Sequence, residues 1–160
     1  MKLSRYFGPD DGSLPEIEVT FSDSSRMPLA FRHLYDRGAQ NLTADGGHLW
    51  LTESKTEAPF SGPESALFVV SGAAEAFHVV LGGITGSGGR IPDVGVFVFP
   101  DCLVFDYQMG FDWGPQEIQS LLELLRQLCE LGGVVSVPWW GAEGERDFLE
   151  ALAVADGTPG

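Results

Sequence analysis

Apolar and polar residues alternate in Glu16-Ile17-Glu18-Val19-Thr20-Phe21, a period of two that describes a strand with one buried and one polar face. A helix is predicted over residues 27–37, where Pro28 stands at an opening position, Phe31, Leu34 and Tyr35 share a face, and Gly38 supplies the stop. After Gly46-Gly47 the alternation returns in His48-Leu49-Trp50-Leu51-Thr52-Glu53, a strand that runs into a polar, proline-containing loop over residues 54–63. Residues 66–83 carry two patterns at once. Leu67, Val70, Ala74, Phe77, His78 and Leu81 fit a helical stripe, whereas Phe68-Val69-Val70 and Phe77-His78-Val79-Val80 are β-branched and aromatic runs parted by Ser71-Gly72. Two strands are the expectation there.

The five glycines of residues 82–90 read as a flexible loop. Val94-Gly95-Val96-Phe97-Val98-Phe99 and Cys102-Leu103-Val104-Phe105-Asp106-Tyr107 then flank Pro100-Asp101, a hairpin whose nearly continuous apolar character places it in the centre of a sheet. Pro115 opens the clearest helix. Ile118, Leu121, Leu122, Leu125, Leu128 and Cys129 recur on one face, Gly132-Gly133 ends it, and Gln116, Glu117, Gln119, Ser120, Glu123, Arg126, Gln127 and Glu130 form a solvated opposite face. Residues 134–137 read as a last strand, Trp139-Trp140-Gly141 as a turn, and residues 143–155 as a terminal helix with Phe148, Leu149 and Leu152 inward. Residues 1–15, with Gly8-Pro9-Asp10-Asp11-Gly12-Ser13 and Pro15, read as a flexible arm, and residues 156–160 as a frayed tail. The expectation is one α+β domain over residues 1–160, a mainly antiparallel sheet packed by a long amphipathic helix and two shorter ones.

At 160 residues the chain is long enough to bury a core without disulfides or a structural metal. No apolar run approaches the roughly 18–20 residues of a membrane span, and the first ten residues lack the apolar centre of a secretory signal, so a cytoplasmic protein is expected. Cys102 and Cys129 then remain thiols, small hydrophobes in a strand and on a helix face. Charge is the sharpest compositional feature. The 23 acidic and 9 basic residues give a formal net charge of -14, which disfavours direct nucleic-acid binding and favours encounter with a basic protein.

His33, His48, His78, Cys102 and Cys129 are dispersed singly, without the close pairs of a metal site, so neither a metal nor a cofactor is expected. Gly-x-Ser-x-Gly is absent, and a Cys102–His78 thiolate pair is disfavoured because an apolar strand raises a thiol pKa. Gly82-Gly83-Ile84-Thr85-Gly86-Ser87-Gly88-Gly89 resembles a phosphate loop, but no Gly-Lys-Ser/Thr and no helix follow it. Asp106 stands out because it interrupts an apolar strand, where it is expected to bond backbone near residues 110–115.

The most distinctive segment is Phe105-Asp106-Tyr107-Gln108-Met109-Gly110-Phe111-Asp112-Trp113-Gly114-Pro115, which joins the central strand to the long helix. With the Leu-rich helix, the Val-rich strand and the Trp-Gly-x-x-Gly-x-x-x-Phe-Leu end that follow, residues 94–152 resemble small bacterial immunity proteins of polymorphic or contact-delivered toxin systems. The resemblance implies a cytosolic, non-enzymatic protein that neutralises a cognate toxin by occluding its active site. A toxin domain that handles nucleic acid, and is therefore basic, would complement the acidic balance. Candidate partner-binding residues are Asp112, Trp113, Trp139, Trp140, Glu143, Glu145 and Asp147. A structural or adaptor subunit, marked by an apolar patch at Trp139 and Trp140, is the alternative, and an enzyme with a carboxylate-only site is a third.

Overall fold

A computed structural model describes residues 2–154, so the expected tail at 156–160 lies outside the described residues. Its elements in chain order are β1 (Glu16–Phe21), α1 (Met27–Asp36), β2 (Gln40–Asn41), β3 (His48–Leu51), β4 (Thr56–Pro59), α2 (Ser65–Val70) and β5 (Phe77–Gly82). There follow β6 (Thr85–Gly86), β7 (Gly89–Arg90), β8 (Val94–Val98), β9 (Cys102–Tyr107), α3 (Pro115–Glu130), β10 (Gly133–Ser136) and α4 (Gly141–Val154). Six strands form one antiparallel sheet in the order β10-β1-β9-β8-β5-β2, which makes the protein α+β. The β8–β9 hairpin is central, as its apolar run requires.

Alternation sets the two faces of this sheet. Ile17, Val19 and Phe21 of β1, Leu103, Phe105 and Tyr107 of β9, and Val94, Val96 and Val98 of β8 are buried beneath the helices. Glu16, Glu18, Thr20, Cys102, Asp106, Phe97 and His78 emerge on the other face, each at least part-exposed. The 16-residue helix α3 buries Ile118, Leu121, Leu122, Leu125 and Leu128 on the first face, and Pro115 begins it where the missing N–H costs nothing.

Several local expectations are corrected. Residues 2–6 are a 3-10 turn rather than part of a flexible arm, and Leu3, Tyr6 and Phe7 belong to the core. The run Phe68-Val69-Val70 lies in helix α2, not a strand, because Ser65, Ala66 and Val69 bury together and tertiary packing overrides β propensity. The second run is indeed strand β5. The polar stretch after β3 folds back as β4, with Lys55 at a φ of 55° in the turn. The glycine loop is the small β6–β7 hairpin, held on α3 by Glu123, which accepts from Ser87 N at 3.0 Å, Ser87 Oγ at 2.6 Å and Arg37 Nη2 at 3.0 Å. These bonds, those from Ser87 foremost, lower the Glu123 pKa.

Ser120 is therefore buried instead of solvated. A Cβ on Gly86 would lie 2.8 Å from Ser120 Cβ, and one on Gly88 would lie 2.4 Å from Gln116 O, so only glycines let the hairpin sit so near the helix. On α4, Phe148 is buried and Leu152 packs on the core, but Leu149 is 40% exposed. No helix among the described residues is long and apolar enough to cross a membrane.

Asp147 of α4 clamps the N-terminal turn. Its carboxylate accepts from Tyr6 Oη at 2.6 Å and Arg5 Nη2 at 2.7 Å, and pairs with Lys2 Nζ at 3.1 Å. Tyr6 first, then Arg5 and Lys2, hold the Asp147 carboxyl far below the usual aspartate range. Because the folded pKa is depressed, the unfolded chain binds the extra proton. This contribution is complete above the unfolded aspartate pKa of about 3.9 and is lost as pH falls below it. Asp147→Asn is expected to lower the melting temperature by several degrees at pH 7 and to flatten the dependence of stability on pH below about 4. Urea midpoints for both proteins at pH 7 and pH 3 check this; equal losses on acidification would refute the clamp.

Candidate functional site

Most of the candidate residues on α4 and in the Pro138–Trp140 turn before it make contacts within the fold. Asp147 is 2% exposed and saturated by its three partners, and Glu145 accepts from Val137 N at 2.9 Å, closing the exit of β10. Trp140 packs on Tyr6 with ring centroids 5.2 Å apart and donates Nε1–H to Tyr107 Oη at 3.1 Å. Glu143 is exposed but pairs with Arg5 at 3.2 Å. Of the two tryptophans, Trp139 is 47% exposed and Trp140 is half-buried.

The loop from β9 to α3 behaves differently. Trp113 is buried, its Nε1–H donating to Gln108 O at 2.9 Å and its ring 4.9 Å from Phe7 and 5.6 Å from Tyr107. Between that anchor and Gly110, with its φ of 152°, the loop projects Phe111 and Asp112 into solvent. Phe111 has a relative exposure of 108%, so its ring rests on nothing in the chain. It stands at a cleft of about 870 Å³ lined by Pro9, Asp10, Pro92, Asp93, Gln108, Met109, Asp112 and Trp113, among others.

Three separated segments thus converge here: residues 8–10, the turn before β8, and the β9–α3 loop. Gly110 N donates to Phe7 O at 2.8 Å, and Tyr107 Oη donates to Tyr6 O at 2.8 Å, tying the first segment to the third. The three carboxylates of the cleft have no lysine, arginine or histidine beside them in its lining. Asp10 accepts from Gly12 N, whereas Asp93 and Asp112 have no ion pair or hydrogen bond among the described residues. Lys2, Arg5, Arg32, Arg37 and Arg126 are engaged by acids elsewhere.

The cleft opens onto the uncovered sheet face. Gly95 pairs with Asp106 within the ladder, and Asp93 and Gln108 stand just beyond its last pair, Val94 with Tyr107. On that face His78 Nε2 and Asp106 Oδ2 are 2.8 Å apart, spanning Gly95. A Cβ there would lie 2.4 Å from both carboxylate oxygens and from the imidazole nitrogen, so glycine leaves the gap through which the pair meets. Asp106 therefore pairs with a histidine, not with backbone near residues 110–115. His78 and Phe97 rings, 4.3 Å apart, and Phe97 and Phe99, 5.9 Å apart, extend an aromatic strip beside it. The Cys102–His78 pair does not form: Cys102 bonds Thr20 Oγ1 and Leu103 O, and burial pushes its thiol pKa up. Among the described residues no group of three or more His, Cys, Asp or Glu is placed to hold a metal ion.

Asp112 and Trp113, expected from one distinctive segment, both line the cleft. Phe111, Asp10 and Asp93 are not among the expected residues. The signal for Phe111 was an aromatic residue in a turn, Gly110-Phe111-Asp112, where polar residues are favoured. Compared with protein families, curated proteins and solved structures, the chain matches none.

Proposed function

We propose that this chain is a bacterial, cytoplasmic immunity-type protein that binds a basic toxin domain and occludes its active site. The observation that carries the reading is Phe111, an aromatic side chain wholly in solvent at the mouth of a cleft whose carboxylates lack internal counter-charges. Aromatic side chains, phenylalanine among them, are enriched at the cores of protein interfaces. Unpaired acids at the rim attract a basic partner and speed its encounter. The net charge of -14 extends that attraction beyond the cleft. An adaptor role would instead use the apolar side chains of Leu67 and Phe68, exposed on α2.

Co-expression with the product of the adjacent reading frame tests the reading. A one-to-one complex and relief of growth arrest are expected. Phe111→Ala should raise the dissociation rate about tenfold, and Asp93→Lys with Asp112→Lys should slow association about tenfold and reduce its salt dependence. An adjacent product that neither arrests growth nor binds this chain would refute the proposal. A complex that survives all three substitutions but is lost in Leu67→Ser/Phe68→Ser would favour the adaptor.

A further inference from the structure

Resting on that proposal, we infer that the cleft beside Phe111 receives an arginine-bearing loop of the partner. Size comes first. A cavity of about 870 Å³ is near the upper end of the roughly 300–1,000 Å³ typical of ligand pockets, so it accommodates a short peptide segment and not one side chain alone. Charge comes second: Asp10, Asp93 and Asp112 are the only ionisable groups of its lining, and the last two have no bonding partner among the described residues. Its occupant is therefore cationic, since a neutral or acidic segment would leave these carboxylates desolvated and unpaired.

The walls select the kind of cation. Phe111 at its mouth has both ring faces open to solvent, while Pro9, Pro92, Met109 and the largely buried Trp113 supply apolar surface. A guanidinium bonds carboxylates in its plane and offers its faces to aromatic rings, and it is less strongly hydrated than an ammonium. Arginine thus uses both features of the cleft, whereas lysine uses the charge alone. Asp93 and Gln108 stand at the end of the β8–β9 ladder, which gives the remainder of the loop a path past Asp106 along the open sheet face.

The test uses the whole chain and a blocked pentapeptide, acetyl-Gly-Arg-Gly-Arg-Gly-amide, followed through the indole N–H resonance of Trp113. Saturable shifts at millimolar peptide are expected, with at least fivefold weaker binding by the citrulline analogue and by Asp93→Asn/Asp112→Asn protein. The lysine analogue should bind at least twofold more weakly than the arginine peptide. Equal binding by the citrulline analogue, an unaffected double variant, or spermidine binding as tightly as the peptide would each overturn the inference. Failure of the peptide alongside an intact complex with the adjacent product removes only this inference. Peptide binding without such a complex removes only the immunity reading.

Discussion

Phe7→Ala is expected to destabilise the fold by about 3–5 kcal/mol, the range for deleting a buried aromatic ring. Phe7 is fully buried, with its ring centroid 4.8 Å from Tyr107, 4.9 Å from Trp113 and 5.9 Å from Phe148. Those partners come from β9, the β9–α3 loop and α4, so one side chain joins three parts of the chain. The surroundings cannot collapse easily into the space, because Tyr107 Oη is fixed on Tyr6 O and Trp113 Nε1–H on Gln108 O. Against the roughly 5–15 kcal/mol by which domains are stable, the loss is about a fifth of the total or more. Equilibrium unfolding in urea should show a much lower midpoint with an unchanged slope. A cost below about 1 kcal/mol would mean that the N-terminal turn rests on the domain without supporting it. The same substitution removes the floor under Trp113, so the cleft should loosen before the sheet does.

Local periodicity made the sheet and its main helix legible. The alternation in β1, the apolar β8–β9 run and the Leu stripe of α3 each state their burial within a few residues, and the structure buries most of the same side chains, with Phe97, Phe99 and Cys102 turned to the open face and Cys129 half-buried. Where the reading failed, the deciding contact lay far away. Leu3, Tyr6 and Phe7 have helical spacing, but the Gly-Pro-Asp composition after them suggests an arm, and their partners on β9 and α4 follow 101 and 141 residues after Tyr6. Ser120 looked solvated because the glycine hairpin that covers it comes from another part of the chain. Asp147 looked like a surface acid because Lys2, Arg5 and Tyr6 are its neighbours only in space. The cleft was half legible for the same reason: the β9–α3 loop contributes Asp112 and Trp113 locally, whereas Asp10 and Asp93 arrive by topology.

Gly133→Ala is expected to cost about 2–3 kcal/mol, although alanine in place of glycine usually stabilises a permissive site by about 0.4–1 kcal/mol. Gly132 and Gly133 together end α3 and begin β10, but physics assigns them different tasks. Gly132 has a φ of 104°, a conformation that side chains resist, while an added Cβ would approach only Arg26 Cγ, at 3.7 Å. Its replacement by alanine should cost about 1–2 kcal/mol through the backbone alone. Gly133 carries no such conformation. Its Cβ would lie 2.5 Å from Val19 Cγ1, 2.9 Å from Leu128 O and 3.2 Å from Phe21 Cε1, so the obstacle is packing between β1 and the last turn of α3. Val19 and Phe21 are fully buried and Leu128 O is backbone, which leaves none of the three free to yield. Urea unfolding of the two alanine variants separates the causes, with Gly133→Ala the more costly. The order would reverse if backbone conformation, rather than closeness of strand and helix, were what both glycines serve. Displacement of β10 would also shift the start of α4, where Glu145 closes on Val137 and Asp147 holds the N-terminal turn, so the Gly133 variant should lose the acid-dependent part of its stability as well.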